Sequence, residues 1–422
     1  MSNMNLHATT LTRRRFLRHA AGAAAGGMLA GHALAAQERK RPVLPVAAVV
    51  TDYRRNTHAD VIVGKILEGW RQDGGAGPDL RLVALYTDQT LKGDLSRDLA
   101  RKHGFRIAKT IPEALTLGGD KLAVAGVISI GEHGNYPFTK DTNQHMYPRR
   151  RFFDEIARTF RKTGRVVPVF NDKHLAYAWR DARHMYDTAR DMKIPFLAGS
   201  SVPVAWRAPA LTLPRGCALS EAIAVGYGGE ESYGFHALEG LQCMVERRKG
   251  GETGVAAVQA VRGDEISRAL KAGRWSRALL DAAVAVTPKP PKGRPGEFAK
   301  NATFFLIEYR DGLKAAVAMS TGLANEFLFA GHIRGEARPR ATWFRLEENR
   351  PFGHFEHLLR AIEHTFHTGQ PAYPVERTLL TTGILDAVMH SLADKGRLIK
   401  TPELNVRYTP ADWGFARGLP PG

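Results

Sequence analysis

The chain has 422 residues, 44% of them hydrophobic and 24% charged, with 42 Gly and 23 Pro. This globular composition excludes a disordered chain, a collagen-like repeat and a disulfide scaffold, and it suffices for two domains of ordinary size. Sixty Lys and Arg against 42 Asp and Glu give a net charge of +18, a balance that suits nucleic acid, a membrane surface or an acidic substrate. The two Cys are too few for a disulfide framework and lack metal-ligand spacing.

Residues 1–36 read as an export signal. Thr12-Arg13-Arg14-Arg15-Phe16-Leu17-Arg18 matches the twin-arginine pattern, an Ala- and Gly-rich stretch follows from Ala20 to Leu34, and Ala33-Leu34-Ala35 suits signal peptidase. The expectation is a periplasmic or secreted protein. The signal holds four Arg and no acidic residue, so the remainder keeps a net charge of about +14. No apolar run approaches the roughly 20 residues that span a bilayer.

After the signal, VLPVAAVV (43–50) is a continuous apolar run of strand length, followed by a helix from His58 to Trp70. LRLVALY (80–86) is a second strand and Leu95–His103 a second helix, closed by Gly104. Val124–Ile130 is a strand, Phe152–Lys162 a helix, Arg165–Phe170 a strand, Leu175–Met192 a helix and Phe196–Ala198 a strand. Buried-type strands alternating with helices predict an α/β domain with a parallel, Rossmann-like sheet, placed at residues 42–200.

From about residue 201 the pattern changes. Strands are expected at 223–227, 255–261, 302–309 and 314–319, the last two joined through Arg310-Asp311-Gly312, a hairpin signal. Helices are expected at 236–247, 264–284, 355–368 and 375–395. Residues 201–400 therefore read as an α+β domain with a mostly antiparallel sheet and helices on one face, and 401–422 as an extended tail. Thr287–Pro295 (TPKPPKGRP) reads as an exposed basic loop.

In a parallel α/β sheet, ligands sit beyond the carboxyl ends of the strands. Those positions hold Thr51 to His58 after the first strand, Thr87-Asp88 after the second, Gly131-Glu132-His133-Gly134 after Ile130 and Asn171-Asp172-Lys173-His174 after Phe170. A dinucleotide site places Gly-x-Gly-x-x-Gly after the first strand, and no glycine stands there. Asp88 is in the place of an acid that holds a ribose hydroxyl.

GRVVPVFNDKHLAYAWRDARHMYDTARDMKIPFLAGSSVPVAWR resembles the middle of the glucose–fructose oxidoreductase, inositol dehydrogenase and rhizopine-catabolism (Gfo/Idh/MocA) family. Asp172-Lys173-His174 stands where that family has Glu-Lys-Pro. Tyr233-Gly234-Phe235-His236 is similar to its glycine–histidine segment, and residues 354–399 are similar to its closing helices. The resemblance covers roughly residues 44–400. It implies a Rossmann-like domain, an open-faced second sheet used for homo-oligomerisation, and oxidation of a sugar, glycoside or polyol hydroxyl with NAD(P). It implies Lys173 and Asp172 at the reacting end and His236 as the acid/base, an imidazole being suited to proton transfer near neutral pH.

The departures leave alternatives open. Val50, Asp52 and Arg55 replace the family's three glycines, so a retained cofactor would need Arg54 or Arg55 to hold phosphates beside Asp52, with Asp88, Glu132 and His133 completing the site. The alternative is a metal-dependent or cofactor-free lyase, epimerase or hydrolase on a sugar-like substrate, with Glu132, His133, Asp172, His174, Glu230, Glu231 and His236 converging in the cleft and Glu239 orienting His236. A third reading is a non-catalytic binder of a sugar or a partner protein. The basic clusters Arg149-Arg150-Arg151, Arg247-Arg248-Lys249 and Lys289–Arg294 are scattered and argue against nucleic acid. Cys217 and Cys243 are expected as free, buried thiols.

Overall fold

The computed structural model describes residues 41–287 and 302–418. The twin-arginine signal and the Pro-rich run from residue 288 lie outside the described residues. The first sheet contains β1 (Leu44–Val50), β2 (Leu80–Thr87), β3 (Arg106–Ala108), β4 (Gly126–Ile130), β5 (Val169–Asp172) and β6 (Phe196–Gly199). All its pairings are parallel, in the order β3-β2-β1-β4-β5-β6, which is the doubly wound Rossmann order.

Strand periodicity explains how the sheet buries both faces. Val46, Ala48 and Val50 of β1 pack toward one core and Ala47 and Val49 toward another. The helices of this half are α1 (His58–Glu68), α2 (Ser96–His103), α3 (Ile111–Thr116), α4 (Arg149–Thr163) and α5 (Trp179–Asp191). Sequence patterning misses the short β3 and α3. It also starts the fifth strand at Arg165, whereas pairing begins at Val169, because Pro168 has no N–H for a ladder.

The second sheet has eight strands: β7 (Trp206–Ala208), β8 (Leu219–Gly226), β9 (Val255–Arg262), β10 (Thr303–Tyr309), β11 (Lys314–Met319), β12 (Phe327–Ile333), β13 (Arg340–Arg345) and β14 (Ile399–Lys400). Their order is β14-β9-β10-β11-β8-β12-β13-β7, antiparallel except for β8 beside β11. α6 (Ser232–Val245) packs on one face. The expected helix 264–284 is two helices, α7 (Asp264–Lys271) and α8 (Arg277–Ala285), broken at Gly273, whose φ of +64° suits glycine, and restarted by the Ser276 cap.

These two helices cover the face expected to be open. Ile266, Leu279, Leu280 and Ala283 pack there on Ile223, Val225, Leu306 and Leu328. α9 (His354–Thr368) returns to the first sheet and packs through Leu358, Leu359 and Ile362 in the core shared with α1. α10 (Glu376–Ala393) lies against α6 and β9 in the core that joins the sheets. No described helix is long and apolar enough to cross a membrane.

Candidate active site

A cavity of about 470 Å³ opens between the carboxyl ends of the parallel strands and the start of α6, a size suited to a small molecule. His58, His133, His236 and His354 line it, with Tyr227, Tyr233, Phe327, Phe355 and Glu348 among the other walls. Four imidazoles thus meet in one cleft, although they come from α1, the loop after β4, α6 and α9.

Two of them are anchored through Nδ1 by partners of different chemistry. His58 opens α1, and its Nδ1 lies 2.6 Å from Oδ2 of Asp172, the buried last residue of β5. A carboxylate accepts, so Nδ1 carries the proton and the lone pair of Nε2 is left without a protein partner among the described residues. His236 lies one turn into α6, with Nδ1 2.6 Å from Ser200 Oγ. That oxygen accepts from the Val202 N–H and keeps one hydroxyl proton that can go to His236 Nδ1; in that tautomer Nε2 carries the N–H. In that tautomer one ring offers a base to the cavity and the other a donor.

Burial holds the His236 imidazole well below its ordinary pKa, and the neighbouring Lys173 charge adds to the effect. It is neutral at pH 7. Burial lowers His133 to about 4 and His354 to about 3. Glu239 does not touch His236. It accepts from the Ser200 N–H at 3.3 Å and from Thr381 Oγ1 at 2.7 Å, so it fixes the serine that orients the histidine.

Lys173 and Glu132 form a second, drier layer and do not line the cavity. Lys173 is buried with a left-handed φ of +66°; its Nζ lies 3.3 Å from Glu132 Oε1 and donates to Ser232 O. Arg149, fully buried at the start of α4, joins Glu132 Oε2 at 2.5 Å and His174 Nε2 at 3.0 Å. Burial alone raises a carboxyl, but Lys173 and Arg149 outweigh it and hold Glu132 well below the usual range. The first Arg of the 149–151 triplet is thus an interior counter-ion.

The set expected to converge on a metal does not do so. Glu230 pairs with Arg262 and Thr303, Glu231 accepts from the His145 N–H, Asp172 is committed to His58, and no group of three His, Cys, Asp or Glu among the described residues is arranged to hold a metal. Cys217 and Cys243 are free and buried.

The crevice at the switch point between β1 and β4 is occupied by the chain itself. Thr51 Oγ1 donates to Glu132 O at 2.5 Å, tying the two strand ends together. The loop after β4 crosses above β1 to reach β2: Gln89 Nε2 donates to Asn135 O at 2.9 Å, and the Asn135 N–H returns a bond to Gln89 Oε1 at 2.8 Å. Asp88 accepts from Tyr86 OH, Tyr136 OH and Arg151. Asp52 is buried and paired with Arg54 at 2.7 Å, Tyr53 is fully buried, and Arg55 is exposed. Of the residues expected to hold a cofactor, only His133 lines the cavity.

No protein-family model and no curated protein matches this chain. Solved structures do. GenD2 from gentamicin A biosynthesis, in complex with NAD, matches at 15% identity and a TM-score of 0.55, over 85% of this chain and 96% of that one. A myo-inositol dehydrogenase from Corynebacterium glutamicum matches at 12% identity and a TM-score of 0.51, over 85% and 98%. A dinucleotide needs a close backbone approach at a helix N-terminus and a free acid for its ribose. In this chain the loop after β4 takes the first place and three donors already engage Asp88, so these residues do not fit NAD(P) laid in the usual crevice. The chain carries the two-domain fold of the Gfo/Idh/MocA dehydrogenases, with the crevice of that fold filled from within.

Proposed function

We propose that this chain is an enzyme that moves protons on a sugar, glycoside or polyol-like molecule held in the histidine-lined cleft. The observation that carries the reading is the pair of imidazoles lining one cavity, each anchored through Nδ1, His58 by the Asp172 carboxylate and His236 by the Ser200 hydroxyl, partners that allow opposite proton placement. A base and a donor facing one cavity suit removal of a proton at one atom while a neighbouring oxygen is hydrogen-bonded. Tyr227 and Tyr233 beside Phe327 give the cleft aromatic walls with polar edges, suited to a molecule with apolar faces and hydroxyl edges.

A second reading, an oxidoreductase that passes a hydride to NAD(P), is supported by the fold likeness to an NAD-bound structure and to an inositol dehydrogenase, and by Lys173 at the end of β5. Export by the twin-arginine route, expected from Arg13 and Arg14, belongs to the proposal, which places the substrate outside the cytoplasm.

Isothermal titration of the purified protein with a panel of monosaccharides, glycosides, polyols and sugar acids tests the reading. At least one member binds saturably, and His236→Gln and His58→Asn weaken that binding tenfold or more with unchanged circular dichroism. Binding of no panel member, or equal binding by both variants, contradicts it.

A further inference from the structure

We propose that this chain works without a dinucleotide, and that its substrate is a sugar-derived molecule already carrying a carbonyl group. The inference rests on the proton-transfer reading above and narrows it.

The first half follows from what fills the crevice. A pyrophosphate crossing the switch point would have to displace the paired Gln89–Asn135 bonds, the Thr51–Glu132 bond and the Tyr136 hydroxyl on Asp88 at once. Gly134 marks how closely the loop after β4 approaches: a Cβ there would stand 3.1 Å from Gln89 Oε1 and 2.8 Å from the Tyr136 ring, at a φ of +95°. The glycine that lets a backbone come close serves the chain's own loop. Carboxylates of the protein also stand at this strand end, each paired with an arginine. Asp60, in the first turn of α1, accepts from the Asn56 N–H at 2.8 Å and pairs with Arg350 at 2.8 Å, so a carboxylate of the protein already sits at that helix start. The Asp52 carboxylate, after β1, is also buried, with Oδ2 paired to Arg54 and Oδ1 unpaired.

The second half follows from chemistry. Without a hydride acceptor, hydrogen leaves carbon as a proton, and it does so readily only beside a carbonyl that takes up the electron pair. His58 Nε2 then receives the proton, the C–H pair becomes the C=C bond of an enolate, and the oxygen that gains charge lies against the His236 Nε2–H. The His58 imidazolium returns its proton to carbon, giving exchange or epimerisation. Alternatively the enolate expels a β-oxygen substituent: the C–O bond breaks, its pair leaves on oxygen, and that oxygen takes the proton from His58. Nothing is oxidised or reduced. The reaction that supplies such a substrate is an oxidation of a sugar hydroxyl to a carbonyl.

Two measurements on the full chain decide this. In the first, the purified protein is denatured and the supernatant examined by mass spectrometry, and the native protein is titrated with NAD+ and NADP+ at millimolar concentration. No nucleotide is released and neither titration saturates. One equivalent of released nucleotide, or saturable binding, overturns the proposal while leaving the sugar-binding result intact. In the second, proton NMR in D2O follows D-fructose, D-xylulose and D-glucuronate beside D-mannitol and xylitol. Exchange of carbon-bound protons is confined to the carbonyl compounds and lost in His58→Asn. Exchange in none of the carbonyl compounds, or NAD+-dependent oxidation of a polyol, overturns it.

Discussion

Asp172 Oδ2 and His58 Nδ1 lie 2.6 Å apart although the two residues are 114 positions apart in the chain. The bond spans from the start of the first helix to the end of the fifth strand, and it decides which nitrogen of His58 faces the cavity. Asp172→Asn keeps the shape but presents an amide, which favours the other tautomer. Turnover is expected to fall roughly a hundred- to ten-thousand-fold, with circular dichroism unchanged. A pH–rate profile checks the assignment, because Asp172→Asn moves the limb that reports the base, whereas a structural role leaves the limb in place.

Ser200→Ala removes the hydroxyl that anchors His236 Nδ1. A loss of roughly 10- to 100-fold in turnover is expected, and Ser200→Thr, which keeps the hydroxyl, restores most of it. Equal activity in Ser200→Ala and wild type removes Ser200 from the account.

Glu132 is the shared counter-ion of Arg149 and Lys173 beneath the cleft. Glu132→Gln leaves two buried cations without their carboxylate and is expected to cost about 3–5 kcal/mol in denaturant unfolding. Glu132→Asp, which keeps the charge, costs less.

Stability depends on pH through the same site. The His133, His174, His236 and His354 imidazoles are held below their unfolded pKa, chiefly by burial. Their contribution is complete above the unfolded value of 6.5 and is lost as pH falls, because the unfolded chain takes protons first. Each such imidazole forfeits up to about 2 kcal/mol at pH 5. Glu231, raised to about 7 mainly by burial, works in the other direction, since it is protonated earlier in the folded state. The histidines outnumber it, so Tm is expected to fall between pH 7.5 and pH 5, and His354→Gln flattens the slope. A Tm that rises over that interval contradicts the burial argument.

Arg13→Lys with Arg14→Lys is expected to leave the full-length chain in the cytoplasm, and wild type is expected beyond the inner membrane. Cell fractionation with an antibody to the chain reads the difference.

Much of the fold was legible in the sequence because strands buried on both faces are nearly continuous apolar runs, as in VLPVAAVV and LRLVALY. The run FLFAGHI, which forms β12, carries the same signal and was passed over. His236 and Asp172 were legible through the resemblance and both stand at the cleft, His236 on its wall and Asp172 behind His58. His58 reads only as the start of the first helix, and its partner Asp172 lies too far along the chain for spacing to reveal the pair. A histidine opening the first helix and an aspartate closing a central strand is the pattern that could have found it. The missing glycines were legible, but not what replaced them, since the Gln89–Asn135 crossing exists only once β2, β1 and β4 are neighbours. Lys173 stands at the expected strand end, yet its left-handed backbone and its Glu132 partner turn it into the layer below the cavity.

The central claim is that His58 acts as a base toward the cleft because Asp172 holds its other nitrogen. Proton NMR in D2O on wild type and Asp172→Asn, with the ketose and sugar-acid panel, tests it most directly. Solvent deuterium entering beside the carbonyl in wild type and at least a hundredfold more slowly in Asp172→Asn is the predicted result. Equal exchange rates in the two proteins would contradict it.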